Sequence, residues 1–188
     1  MSKQSLVISV FLIAACGSGV GVQTGASSFC DNYCTRYASC KKDSDTQTCS
    51  YGCQDRSAAT IPKLRGDLIS NVQSCINNQD CATVLAGNGT VAYANCYAQN
   101  LATISASQAA TDFCSAQDRA FAHCGRNTQG GQAICLNEAK PFNDAILQAA
   151  QHCNTLACGQ IESCVFATLG RGFGYGSGPT GSSGGGKN

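Results

Sequence analysis

The chain has 188 residues, 15 of them cysteine and none tryptophan, and only 12% of its side chains are charged. Cysteine at about 8% reaches the range that marks disulfide scaffolds, which excludes both an ordinary cytosolic enzyme and a disordered tract. Lys and Arg (12) nearly balance Asp and Glu (11) for a net charge of +1, which supplies no electrostatic footprint for nucleic acid and no polybasic membrane patch.

Lys3 gives the leading segment a positive charge, and Leu6 to Ala15 form an apolar run, shorter than the roughly 20 residues of a membrane span. This is the layout of a signal peptide over residues 1–15. The run ends Ile13-Ala14-Ala15-Cys16, which resembles the bacterial lipobox: a branched apolar residue, two small residues, then the cysteine that is diacylated before cleavage. The resemblance implies a palmitate-type anchor on Cys16 and a Gly- and Ser-rich tether over residues 16–28. It also implies the outer membrane as destination, because Gly17 is not the aspartate that in many bacteria signals inner-membrane retention. Setting Cys16 aside leaves fourteen cysteines, an even number compatible with seven disulfides. Ordinary secretion with cleavage near Ala15 is the competing reading, and it leaves Cys16 as an odd thiol.

Two stretches then align with each other. Phe29-Cys30 matches Phe113-Cys114, and Tyr37-Ala38-Ser39-Cys40 matches Phe121-Ala122-His123-Cys124. Cys49 is aligned with Cys135. Pro62, Asp67, Leu68, Ile69 and Gln73-Ser74-Cys75 parallel Pro141, Asp144, Ile146, Leu147 and Gln151-His152-Cys153. Cys81 answers Cys158, and Cys96 answers Cys164. We read two copies, a first unit over residues 29–104 and a second over 105–169. Ala, Leu, Gln and Asn dominate both, with no strand-length alternation, so the expected fold is all-α. Each copy is a helical hairpin, a third helix opened by Pro62 or Pro141 in its first turn, and a fourth helix carrying the last cysteine. Lys41 to Thr48, Gly125 to Gly131 and Asn88-Gly89 read as turns. Asp31, Asp67, Asp112 and Asp144 have a capping distribution.

A unit of this size has a core supplying only about 3 to 5 kcal/mol, so disulfides at about 2 to 4 kcal/mol each must carry much of the stability. On this alignment Cys34 and Cys53 are the cysteines without counterparts, and their joint absence from the second copy predicts a Cys34–Cys53 bond. The antiparallel register that bond imposes predicts Cys40–Cys49 and, by repetition, Cys124–Cys135. The pairing among Cys30, Cys75, Cys81 and Cys96, and among Cys114, Cys153, Cys158 and Cys164, stays open.

Residues 170–188 hold nine glycines and no aliphatic residue, so a disordered Gly-rich tail is expected. Arg171, Phe173 and Tyr175 offer a sticky segment within it, although a solvated terminus is the preferred reading. No Cys-x-x-Cys pair supports redox chemistry. Cys30/Cys34 and Cys49/Cys53 have the spacing for a four-thiolate zinc site, but disulfides are the preferred reading in an exported chain. His123 and His152 each precede a cysteine expected to be bonded, Glu138 and Glu162 form no carboxylate pair, and Gly172-x-Gly174-x-Gly176 follows no strand. The expectation is no catalytic residue, no metal and no cofactor.

With the lipobox, the tether, the duplicated cysteine units and the polar tail, the chain resembles the cysteine-rich lipoproteins of myxobacteria and related bacteria. The resemblance implies an envelope protein held in a membrane by its lipid, acting as a structural or interaction module on another envelope protein. An exported inhibitor or ligand-binding module is the alternative, for which Gly125 to Gly131, flanked by Cys124 and Cys135, is the candidate loop.

Overall fold

The computed structural model describes residues 25–170, and they are all-α. The expected signal peptide, Cys16, most of the expected tether and the tail from Arg171 on lie outside the described residues. The first copy runs α1 (Ala26–Cys40), α2 (Thr46–Ser57), α3 (Gly66–Asn78), α4 (Cys81–Leu85) and α5 (Thr90–Thr103). The second runs α6 (Gln108–His123), α7 (Gly131–Ala139), α8 (Asp144–Gln151) and α9 (Ile161–Leu169). Short 3-10 turns occupy Ile61–Lys63, Ala86–Gly89 and His152–Thr155. Residues 26–28, read from sequence as tether, form the first turn of α1. The hairpin turns are shorter than read, because α2 begins at Thr46 and α7 at Gly131.

Apolar spacing explains the helices that face the core. Leu68, Ile69, Val72 and Ile76 make one stripe on α3, and Ala110, Phe113, Cys114 and Phe121 make another on α6, with the polar Gln117 buried among them, each recurring at helical intervals. The caps differ from expectation. Asp45, Asp80, Ser107 and Asn143 accept backbone N–H bonds from Gln47, Thr83, Ala110 and Ile146. Asp31, Asp67, Asp112 and Asp144 lie inside their helices, past the extended N-cap residue, although Asp67 Oδ1 still accepts from Leu68 N at 2.9 Å in the first turn of α3.

The structure pairs all fourteen cysteines, but in a different order. The bonds are Cys30–Cys53, Cys34–Cys49, Cys40–Cys81 and Cys75–Cys96 in the first copy, and Cys114–Cys135, Cys124–Cys158 and Cys153–Cys164 in the second. The expected Cys34–Cys53, Cys40–Cys49 and Cys124–Cys135 are therefore overturned. The error is one helical turn of alignment: Cys114 equals Cys30, so its partner Cys135 equals Cys53 and not Cys49. The two unmatched cysteines do bond to each other, as the argument required, but they are Cys34 and Cys49. Asp118 and Gly131 stand at their places in the second copy. Geometry explains Cys40 as well. Six residues past Cys34, it is turned about 120° around α1 at 3.6 residues per turn, away from α2 and toward Cys81 at the start of α4, where the Cα–Cα distance is 5.1 Å. With the order known, the three bonds of the second copy repeat three bonds of the first.

These bonds act where burial is weakest. No residue of α2 is fully buried, so Cys30–Cys53 and Cys34–Cys49 are its main ties to α1.

The copies also join each other through equivalent residues. Leu64 and Phe142 form an isolated antiparallel bridge, each two residues ahead of its copy's third helix. Arg65 N donates to Pro141 O and Asn143 N donates to Lys63 O, both at 2.9 Å. Position for position this contact is self-complementary, as across a two-fold axis. It also explains the prolines, which sit ahead of α3 and α8 in the paired segments, Pro62 in the 3-10 turn and Pro141 in the turn after α7. Asn143 serves both sides, capping α8 with Oδ1 and donating from Nδ2 to Pro62 O at 2.8 Å. One apolar cluster runs through both copies, from Phe29 and Leu68 to Phe113, Phe121 and Leu147. Sharing a core raises the fraction of surface each copy buries.

Candidate functional site

The copies differ most between their last two cysteines. Cys96 follows Cys81 by fifteen residues, whereas Cys164 follows Cys158 by six. The extra length in the first copy forms the turn Gly87-Asn88-Gly89, with φ of 57°, 54° and 91°, and the start of α5. Gly89 must be glycine, since a Cβ there would lie 1.8 Å from Tyr33 Oη and its φ is left-handed.

This turn borders an open cleft of about 280 Å³ between α1, α2 and α5. Phe29 and Tyr33 form one wall, Tyr93 and Thr90 another, and Arg56, Thr60 and Ile61 complete the rim. The rings are continuous: Phe29 stacks on Tyr33 at 6.3 Å, meets Tyr93 edge to face at 6.0 Å, and the row extends to Tyr37 and Tyr97. Such arrangements add to area burial through the ring quadrupoles. Burial pushes the Tyr33 phenol above its ordinary value, with Tyr37 adding to the shift and the Arg56 charge opposing it. Burial also raises Tyr93, with Tyr97 adding. The hydroxyls are therefore neutral donors at physiological pH. The cleft wall contains no carboxylate. Among the described residues the ion pairs are Arg65–Asp67 and Arg126–Glu162, and neither involves Arg56.

The matching face of the second copy is closed. Tyr33, Tyr37, Tyr93 and Tyr97 correspond to Gln117, Phe121, Ile161 and Val165, each no more than 1% exposed, and Arg56 corresponds to Glu138.

The sequence-derived site residues fall elsewhere. Cys30, Cys34, Cys49 and Cys53 do come together, as a four-thiolate site would require, but as two disulfides. His123 ends α6 and is exposed. His152, Cys153 and Cys164 place their ligand atoms within 4.8 Å of one another. The two sulfurs are bonded to each other, and a metal needs thiolates. The segment after Cys124 is tied down. Arg126 lies over the Phe121 ring at 4.9 Å and pairs with Glu162, and Asn127 Oδ1 accepts from Gln129 N at 3.0 Å.

Sequence reasoning missed the cleft. Its signal was present in Phe29, Tyr33 and Tyr37 at four-residue spacing and in Tyr93 and Tyr97. No family model, no curated protein and no solved structure matches this chain.

Proposed function

We propose that the protein is a non-enzymatic, disulfide-rich lipoprotein of the bacterial envelope, of the cysteine-rich myxobacterial type. Cys16 anchors it in the outer membrane, and its helical body acts as a structural or protein-interaction module. The observation that carries this reading is the complete pairing of the fourteen cysteines from Cys30 to Cys164 with one another, which leaves Cys16 outside these seven bonds. Disulfides in this number persist only in an oxidising compartment. No helix among the described residues is long and apolar enough to cross a membrane. In this reading acyl chains on Cys16 provide the attachment. Two or more chains hold stably where a single one binds marginally, at about 0.8 kcal/mol per buried CH2. The aromatic cleft favours a second reading, an exported ligand-binding module, which is compatible with the same anchor.

Membrane fractionation of wild type against Cys16→Ser, with mass spectrometry of the N-terminal peptide, tests the anchor. The wild type is expected in the outer-membrane fraction with acyl mass on Cys16, and the variant unprocessed or released with its helical body intact. Soluble wild-type protein carrying unmodified Cys16 would restore plain secretion.

A further inference from the structure

We propose that the cleft of the first copy binds a small planar aromatic carboxylate. The inference deepens the ligand-binding reading and is independent of the lipid anchor.

Three observations converge on that chemistry. The first is shape: about 280 Å³ is at the lower edge of small-molecule sites, room for one or two fused rings. Phe29 and Tyr93 stand at 76° to each other, in contact with their centroids 6.0 Å apart, so a ring lying in the cleft parallel to one is edge-on to the other, the two arrangements aromatic pairs prefer. The second is charge. Arg56 is the one ionised group in the wall and has no carboxylate partner among the described residues. A guanidinium presents a planar fork that matches a carboxylate. Thr60 lines the same cleft.

The third is the second copy, which serves as an internal control. Its hairpin has the same fold and the same Cys30–Cys53-type bond, yet Gln117 and Ile161 replace Tyr33 and Tyr93 in a filled face, and Glu138 reverses the charge of Arg56. The open cleft is thus not a requirement of the repeat. It exists only where the longer connection from Cys81 to Cys96 adds Gly89 and Thr90 beside Tyr93 as an outer wall.

Titration of the purified full-length protein in detergent with 2-naphthoate, and with neutral 2-naphthalenemethanol, tests the proposal. Ring signals of Phe29, Tyr33 and Tyr93 should shift saturably, with half-saturation at about 0.1 to 1 mM for a ligand of this size. Arg56→Gln should weaken naphthoate about three- to fivefold, the worth of an exposed charged contact, and leave the alcohol unchanged. Tyr33→Gln with Tyr93→Ile should abolish both. Circular dichroism identifies any variant that fails to fold, and Arg56→Gln, at an exposed position, keeps the test decisive. The proposal is overturned by no saturable shift at millimolar naphthoate, by shifts centred on Phe113 and Phe121, by equal loss of both probes in Arg56→Gln, or by self-association that covers the cleft.

Discussion

Reducing the disulfides under otherwise native conditions is expected to remove most of the helical circular dichroism. Small domains have a total stability of about 5 to 15 kcal/mol, and each of the seven bonds contributes about 2 to 4 kcal/mol on its own. Even with strong non-additivity, their joint loss exceeds what the shared core retains. The hairpins should fail first. No residue of α2 is fully buried, and α7 buries only Gly131, Cys135 and Ala139, so once Cys30–Cys53, Cys34–Cys49 and Cys114–Cys135 open, little apolar contact holds these helices. Alkylation before reduction should label none of the fourteen cysteines from Cys30 to Cys164, and alkylation after it should label all. Helical signal that survives full reduction would show that the core suffices without its bonds.

Removing Cys34–Cys49 alone is a milder test with a definite ranking. The Cys34→Ala/Cys49→Ala variant should fold and lose about 2 to 3 kcal/mol, the value for a loop of this length. For a chain of this size that lowers Tm by about 5 to 10 °C. The second copy supports the expectation, since Asp118 and Gly131 occupy these positions while Cys114–Cys135 holds the hairpin. Cys30→Ala/Cys53→Ala should cost more, because it removes the bond that both copies keep. Cys34→Ala alone should be worse than the double variant, because it strands Cys49 beside Cys30–Cys53 and permits exchange. Thermal melts of the three variants give the order directly. Equal losses in the two double variants would remove the distinction between a shared and an accessory bond.

The helices and the duplication were legible because they depend on local patterns. Three- and four-residue apolar spacing marks α3 and α6, and aromatic-Ala-x-Cys marks the ends of α1 and α6. The bond order was not, because intervals differ between copies. Cys135 is aligned with either Cys49 or Cys53, which lie one turn apart on the same helix face, and choosing the wrong one carried Cys40 and Cys124 with it. The Leu64–Phe142 bridge joins short segments with no period of their own, distant in sequence, so nothing local announces it. The cleft was hidden for a different reason. Phe29, Tyr33 and Tyr37 have the same helical spacing as Phe113, Gln117 and Phe121, which are buried in the second copy, so the pattern alone does not separate a cleft wall from a core stripe. Only the packing of the longer Cys81 to Cys96 connection leaves Tyr33 and Tyr93 half-exposed.

The central claim is that two copies of one bond pattern, plus one accessory bond, hold this helical body together. Non-reducing tryptic mapping by mass spectrometry tests it most directly, because cleavage after Arg36 and Lys41 isolates Cys40 as the only cysteine of the peptide 37–41. The account predicts that this peptide is joined to the one containing Cys81. Finding it joined instead to the peptide 43–56, which carries Cys49 and Cys53, would contradict the repeated pattern.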